Sequence, residues 1–436
     1  MSNDTTVRPA SGYHRVVGAA ASSAVGDGMR FAALPLLSAA VLHDAFQVSA
    51  VTAATTVPWL LFALPAGAYA DRFERRLLMV LADLLRAVVL LLAVVLLATD
   101  RLTFWPLLTA AFLLGVGEVL FDCASFALLP SVVPAERLES ANGRLFAVQT
   151  VGRDLLGQVV GGVLFTVGRA VPLLIDAVSF LVSAVLLRGI RGPAPDPDPV
   201  SEPEPVSEPE PVSEPEPGSP AEKPRPRLLA DIREGVAFVL RDPLLRALTV
   251  SAGVINAVYL GQIAVFVILV HDVLGLPDSA YGALLAAGAV GGVVGSTVAS
   301  RLSTAIGRVP ALVGGLGLMG LAGLAVGATD RVWVVSAAYC ATGFALMVWN
   351  VVAVSLRQTI IPDRMLGRAT GVYRLFAWGT MPLGALVFGR VSTAAGPGAA
   401  FALGGVVTLL TCLPIAYALL RDSRATDRPK TTEDAP

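Results

Sequence analysis

Ala98-Thr99-Asp100-Arg101 returns about 230 residues later as Ala328-Thr329-Asp330-Arg331, and four more matches keep nearly the same register. His43-Asp44 is answered by His271-Asp272, Asp122 by Asn350, Val133-Pro134 by Ile361-Pro362, and Ala141/Gly143 by Ala369/Gly371, all about 228 to 230 residues apart. Such register across mostly apolar sequence marks an internal duplication. A duplicated bundle of apolar helices is a common way to build a path through a membrane.

Composition sets the class. With 55% hydrophobic and 15% charged residues and a mean hydropathy of +0.71, the chain carries more apolar surface than one soluble core buries, and its apolar runs reach the roughly 20 residues that span a bilayer as helix. The sequence predicts an all-α membrane protein with twelve spans, near 16–42, 48–70, 77–98, 103–128, 141–167, 170–188, 244–270, 279–300, 309–328, 332–356, 366–390 and 397–420. Lipid cannot satisfy exposed backbone groups, and the alternating pattern of a barrel strand is absent, so these runs read as helices. Two six-helix halves follow, residues 1–192 and 228–425, with a linker at 193–227 and a polar tail at 426–436.

The linker holds three consecutive copies of Val-Ser-Glu-Pro-Glu-Pro, starting at Val200, Val206 and Val212. Alternating proline and glutamate builds neither a helix ladder nor a core, so an extended, self-repelling tether is expected. After it, Leu229, Ile232, Val236 and Val239 follow helical spacing and predict an amphipathic helix along the membrane face.

Orientation is read from arginine. Arg72/Arg75/Arg76, Arg301/Arg308 and Arg357/Arg364/Arg368 follow spans 2, 8 and 10, whereas Leu42 to Val48 and Val270 to Ser279 contain no basic residue but histidine. The arginine-rich side is expected to be cytoplasmic, with both termini on it and the chain in the inner cell membrane. Cys123, Cys340 and Cys412 stand alone within spans, which argues against a disulfide framework or a zinc site. His43 and His271 read as solvated loop residues. No nucleotide loop, metal-ligand cluster or nucleophile-base arrangement is present, so neither an enzyme nor a cofactor is expected, and nothing points to nucleic acid.

Charge inside a span is the strongest pointer to function, because placing it at mid-bilayer is opposed by roughly 2.5–3.5 kcal/mol on insertion scales and it persists mainly beside a partner or a cavity. The first half carries Asp27 and Arg30 in span 1, Asp83 and Arg86 in span 3, Glu118 and Asp122 in span 4, Arg153 and Asp154 in span 5 and Asp176 in span 6; the spans of the second half carry no carboxylate. Burial favours the neutral form of a carboxylate and a nearby arginine the charged form, so alternating exposure lets such a group load and release a proton. Asp27, Glu118, Asp122 and Asp154, with Arg30 and Arg153 as counter-charges, are the candidate coupling residues. Asp83 and Arg86, spaced i,i+3, read as a neutralised pair that holds helices together, and Asp176 also reads as structural; the same pairing is the alternative for Asp27 and Arg30. In the second half, Asn256, Gln262, Trp349, Asn350, Arg374, Phe376 and Trp378 offer an apolar, partly aromatic wall for an amphiphilic compound. Trp59 and Trp105 read as interface anchors.

Gly67-Ala-Tyr-Ala-Asp71-Arg72-Phe-Glu-Arg75-Arg76, between spans 2 and 3, resembles the signature loop of the major facilitator superfamily, with Glu74 where a glycine is usual. A weaker copy runs from Gly295 through Ser300-Arg301 to Gly307-Arg308, without the aspartate. The resemblance implies a gate latch made by Gly67, Asp71, Arg72, Arg75, Arg76 and Arg301. Gly152-Arg-Asp-Leu-Leu-Gly157-Gln-Val-Val-Gly161-Gly162 resembles the antiporter motif of that family, with Gln158 in place of proline. It implies a bendable glycine seam of Gly152, Gly157, Gly161 and Gly162 between spans 5 and 8.

Asp176-Ala-Val-Ser-Phe-Leu-Val-Ser-Ala, Leu129-Pro-Ser-Val-Val-Pro-Ala-Glu-Arg-Leu and Trp349-Asn350-Val-Val-Ala-Val-Ser-Leu-Arg357 look like the proton-driven drug-efflux branch that includes macrolide and siderophore exporters. What the resemblance implies is a secondary transporter, functional as a monomer, that exports a small amphiphilic compound against protons by alternating access. An importer or an uncoupled facilitator stands as the alternative, and a non-transporting membrane sensor behind it.

Overall fold

The computed structural model describes residues 11–42, 44–72, 74–132, 148, 151–189 and 228–413. The linker repeats, the polar tail, His43 and the stretch from Val133 to Ala147 lie outside them. Among the described residues every element is helical: α1 (Ser11–Val41), α2 (Ala45–Arg72), α3 (Arg75–Ala98), α4 (Phe104–Val132), a π-helical segment (Val151–Gly157) running into α5 (Gln158–Val167), α6 (Val171–Arg188), α7 (Leu228–Arg241), α8 (Pro243–Ile268) with a second π-helical turn (Leu269–Val273), α9 (Asp278–Ile306), α10 (Arg308–Gly327), α11 (Val332–Ile360), α12 (Asp363–Gly379), α13 (Met381–Ala395) and α14 (Pro397–Leu410). Nine of these helical stretches are long and apolar enough to cross a membrane, among them Val17–Val41, Arg75–Ala98 and Pro243–Val273.

Local chemistry explains the boundaries and faces. Asp242 caps α8 by accepting from the Leu244 and Leu245 amides at 2.8 Å, and Pro243 supplies the fixed φ of a first helical turn. Gly307 precedes α10 with φ +92°, a conformation that favours glycine. Helix α3 buries Met79, Ala82, Asp83, Arg86, Leu90 and Ala93 on one face and leaves Leu81, Val88, Leu92 and Val95 exposed on the other. An exposed aliphatic stripe of that length is the surface of a helix solvated by lipid.

The sequence duplication reappears in the packing. In the first half α1 packs on α5 and α6, α2 on α4, and α3 on α4 and α6. In the second half α8 packs on α13 and α14, α9 on α11, and α10 on α11 and α14, which is the same pattern one repeat later. The two halves meet symmetrically, α2 against α13 and α5 against α9. The largest apolar core crosses this junction, joining Leu36, Leu37 and Val51 to Val265, Phe266 and Phe388.

One expected span differs in form, and two are described only in part. Much of span 5 before Val151 and the end of span 12 fall outside the described residues. Span 11 is broken into α12 and α13 at Thr380: Pro382 opens α13, and the Thr380 hydroxyl donates to the Gly253 carbonyl of α8 at 2.7 Å. The amphipathic helix predicted after the linker is α7. Its Val239 packs with Ile361, Met365 and Ala369 at the start of α12, while Arg233 and Glu234 stay exposed.

Candidate functional site

Asp27 and Arg30 stand one turn apart on α1, and the Arg30 guanidinium is the centre of a buried ionic network. It lies 2.7 Å from Asp27, 3.2 Å from Asp176 of α6 and 3.6 Å from Glu118 of α4. Ser23, one turn before Asp27, donates to its carboxylate at 3.1 Å. Arg86 of α3 pairs with Asp83 on its own helix and reaches Asp27 at 3.7 Å. Its guanidinium carbon lies 4.1 Å from the Phe180 ring centroid and 4.8 Å from that of Phe121, so aromatic faces cover the rest of the cation. Glycines make the space: a Cβ at Gly26 would strike the Asp176 carboxylate and Ser179, and one at Gly117 the Arg86 stem.

Arg30, Arg86, Asp83 and Asp176 are all buried. Two guanidiniums therefore serve three aspartates, Asp27, Asp83 and Asp176. Glu118 then extends the network to Arg153 of the π-helical segment at 3.4 Å. The sequence sets Asp83, Arg86 and Asp176 apart as structural pairs, but the fold brings them into contact with the candidate coupling residues. The i,i+3 spacing of Asp83 and Arg86 predicts local pairing, and Asp176 has no charged neighbour at that spacing; only the packing of α1, α3, α4 and α6 reveals that the arginines are shared. Asp122 is half-buried and makes no ion pair among the described residues. Asp154 lies in the π-helical segment, with its side chain outside the described ones.

A cavity of about 80 Å³ opens beside this network at the junction of the halves. Asp27, Arg30, Glu118 and Arg153 form its charged wall; Phe31, Leu34, Pro35, Leu260 and Ile263 form its apolar one; Thr52, Thr55, Thr56 and Trp59 of α2 form its edge. The three threonines donate to carbonyls of their own helix at 3.3, 2.8 and 3.0 Å. Trp59, read from sequence as an interface anchor, instead lines this cavity and meets Trp378 of α12 edge-on, ring centroids 4.5 Å apart. Trp105 is exposed, as an anchor would be.

The expected second-half wall is only partly assembled. Asn256 lies on the face of α8 that carries Leu260 and Ile263, by its i,i+4,i+7 spacing. Gln262 does not share that face: its amide nitrogen lies beside Gly323 of α10 and Gly404 of α14, inside the second half. Trp349 is 2% exposed and packs in a core with Leu248, Leu312 and Leu316. A large ring on the inward side of α11 fills the second half's own interior, which is why it is lost to the cavity. Phe376, Trp378 and Arg374 are exposed on α12 and Asn350 is half-buried.

The glycine seam also differs from expectation. Backbone or side-chain atoms of α1 would meet a Cβ at Gly152, Gly157 or Gly161, whereas only Gly162 faces Gly282 of α9, the helix of span 8. Three of the four glycines thus bring the fifth span against the first, where Arg153 joins the ionic network. Of the gate-latch residues, Gly67, Asp71 and Arg72 end α2 with side chains outside the described ones. Arg76 pairs with Glu74 at 2.8 Å and donates to the Arg188 carbonyl at the end of α6 at 3.4 Å. Arg75 is half-buried, and Arg301 is exposed near the end of α9.

The chain is 25% identical over 422 residues to a protein of Mycolicibacterium fortuitum named multidrug efflux pump Tap, covering 94% of this chain and 97% of that one. It is 25% identical over 358 residues to an uncharacterized MFS-type transporter, YkuC, of Bacillus subtilis, covering 77% of each. Among solved structures, the fold is similar to that of the nucleoside transporter NupG, with TM-score 0.72, 10% identity and 93% and 98% of the two chains covered. It is also similar to a bacterial homologue of the lysosomal transporter Spinster in an inward-facing, occupied conformation, with TM-score 0.68, 15% identity and 95% and 96% covered. The profile of the Major Facilitator Superfamily matches residues 16–280 and 255–436. A duplicated helical bundle with a cavity at its junction, matched over nearly its whole length, belongs to the Major Facilitator Superfamily of membrane transporters, not to an enzyme family.

Proposed function

We propose that this chain exports a small amphiphilic organic compound across the cytoplasmic membrane in exchange for protons. The observation that carries this reading is the sharing of two buried guanidiniums by three aspartates. An uncompensated charge in the interior is strongly disfavoured, so the extra negative charge has to be met by a proton or by a change of solvent exposure. Asp27 and Glu118 both belong to this network and line the cavity, so a proton bound there competes with an entering substrate. The candidate coupling set is Asp27, Arg30, Glu118, Asp122, Arg153 and Asp154, extended by Asp83, Arg86 and Asp176. The name of the mycobacterial relative supports efflux.

In the positive-inside orientation, both termini face the cytoplasm and the α1–α2 loop faces outward. The halves touch at that outward end, where Asp44 of the first accepts from Thr393 of the second at 2.8 Å and Gly162 meets Gly282. This is the closure expected of a carrier open to the cytoplasm, and rocking residues 1–192 against 228–425 about the cavity completes the cycle. Gly67, Asp71, Arg72, Arg75, Arg76 and Arg301 then close the inner side in the opposite state. The test is reconstitution in liposomes with an imposed pH gradient. Export predicts proton flux out of register with the gradient's passive leak only when an amphiphilic substrate is present; substrate movement indifferent to the gradient overturns it.

A further inference from the structure

Asp122 of the first half and Arg374 of the second stand at the same depth on the inward side of the cavity. Glu118 lines the cavity, and Asp122 follows it by four residues on α4, one turn closer to the cytoplasm on the same face. Trp378 meets Trp59 at the cavity edge. Arg374 precedes Trp378 by four residues on α12, a helix that rises from the cytoplasmic end, so it too stands one turn inward, about 6 Å along the axis. Helix α12 packs on α2, and α2 packs on α4, so the two residues flank the second span. The Arg374 guanidinium is near enough to act on Cys123, the chain neighbour of Asp122. Asp122 is half-buried, Arg374 is exposed, and neither makes an ion pair among the described residues.

The other charges that act on Asp122 are Glu118 on its own helix, Arg153 of the π-helical segment, Arg86 of α3 and Asp27 of α1. These four pair among themselves, Glu118 with Arg153 and Asp27 with Arg86, and leave the charge of Asp122 to be met from the other half. Beside Arg374 the nearest cation is Arg357 of α11, which stacks on the Tyr373 ring at 3.3 Å. We infer that Asp122 and Arg374 form a latch that closes the inner side of the carrier when Asp122 is ionised and opens it when Asp122 is protonated. The inference rests on the proposed proton-coupled export and supplies Asp122 with a partner; Arg374 acts as a positioning residue. With the inner mouth open, Asp122 gives its proton to cytoplasmic water, and the carboxylate takes the guanidinium as the mouth narrows. Water leaves the cleft during closure, and attraction between opposite charges strengthens as it does. A proton arriving from the outer side by way of Glu118 neutralises the carboxylate, the pair parts, and the inner mouth reopens. A carrier still holding its proton therefore does not close inward, which prevents a futile return.

The test measures the width of the inner mouth in the full chain, reconstituted in lipid, by the distance between two spin labels. Leu77→Cys at the start of α3 and Ile306→Cys at the end of α9 are exposed positions at the inner ends of the two halves, labelled in a background without Cys123, Cys340 and Cys412. Moving from acidic to alkaline buffer is expected to shift the labels toward the short distance. At alkaline pH, Asp122→Asn and Arg374→Gln are each expected to lower the closed-to-open ratio about tenfold, the difference that about 1.4 kcal/mol makes. The double variant is expected to lower it no further, a non-additivity that two independent structural losses do not produce. Arg374→Lys is expected to restore part of the pH response. Additive losses overturn the inference. So does a label distance that ignores pH in the protein with neither substitution, whether or not the variants fold. A pH-dependent, non-additive closure without gradient-driven flux leaves the latch standing and sinks export; flux with additive losses does the opposite.

Discussion

The guanidinium of Arg30 on α1 reaches the carboxylate of Asp176 on α6 at 3.2 Å while holding Asp27 of its own helix at 2.7 Å. One side chain thereby joins the first and last spans of the first half. Removing it leaves buried carboxylates facing one another, and breaking a buried ion pair from one side costs about 3–5 kcal/mol. Arg30→Ala is therefore expected to lower the thermal unfolding temperature of the purified protein strongly. Arg30→Lys is expected to recover only part of the loss, because a single ammonium cannot reproduce a planar fork. An Arg30→Ala protein that melts with the parent would show that this network does not hold the half together.

Asp27 and Glu118 touch both the network and the cavity, so their charge is the expected point of proton coupling. Asp27→Asn and Glu118→Gln keep size and hydrogen-bonding capacity while removing the titration. Both variants are expected to reach the membrane at parental levels, to lose gradient-driven efflux, and to keep substrate exchange at equilibrium without a gradient. Efflux assayed in a pump-deficient host, with exchange measured in liposomes, separates coupling from binding. Unaltered resistance in both variants would remove the coupling assignment.

Gly282 of α9 sits against the Gln158 carbonyl and the Gly162 backbone of α5, where the halves meet. A side chain there has to push two backbones apart, and overpacking of this kind costs roughly 1–3 kcal/mol. Gly282→Val is expected to weaken closure at that end and to favour the alternative state by roughly tenfold or more. Ser49, buried against Gly389 at the other junction of the halves, the α2–α13 contact, is a suitable reporter. In a background without Cys123, Cys340 and Cys412, thiol labelling of Ser49→Cys should accelerate when Gly282→Val is added. Equal labelling rates would mean that this glycine contact does not set the balance.

The duplication was legible because lipid-facing helices still carry polar marks at their ends, such as Asp100-Arg101 and Asp330-Arg331, and the same packing pattern recurs in both halves. Membership of the site was less so. The i,i+3 spacing of Asp83 and Arg86 satisfies itself locally, and nothing along the chain signals that Arg86 also reaches Asp27. Trp349 and Gln262 show the converse limit: helical periodicity gives a face, but α11 and α8 are enclosed on several sides, and which side borders the cavity depends on their neighbours. Trp59 was hidden for the same reason, since along the chain a tryptophan looks alike whether it meets lipid or Trp378.

Asp44 at the start of α2 accepts from the Thr393 hydroxyl near the end of α13 at 2.8 Å, and Thr393 also receives the Phe46 amide at 3.1 Å. These contacts join the two halves at the end carrying the α1–α2 loop. Alternating access requires them to part in every cycle. In a background without the native cysteines, Asp44→Cys with Thr393→Cys is expected to form a disulfide under mild oxidation, to abolish substrate movement in liposomes, and to regain it on reduction. Each single variant controls for loss of the hydrogen bond, an effect of only about 0.5–1.5 kcal/mol. A fully cross-linked protein that still moves substrate would mean that this end stays closed throughout transport, which a rocking carrier does not allow.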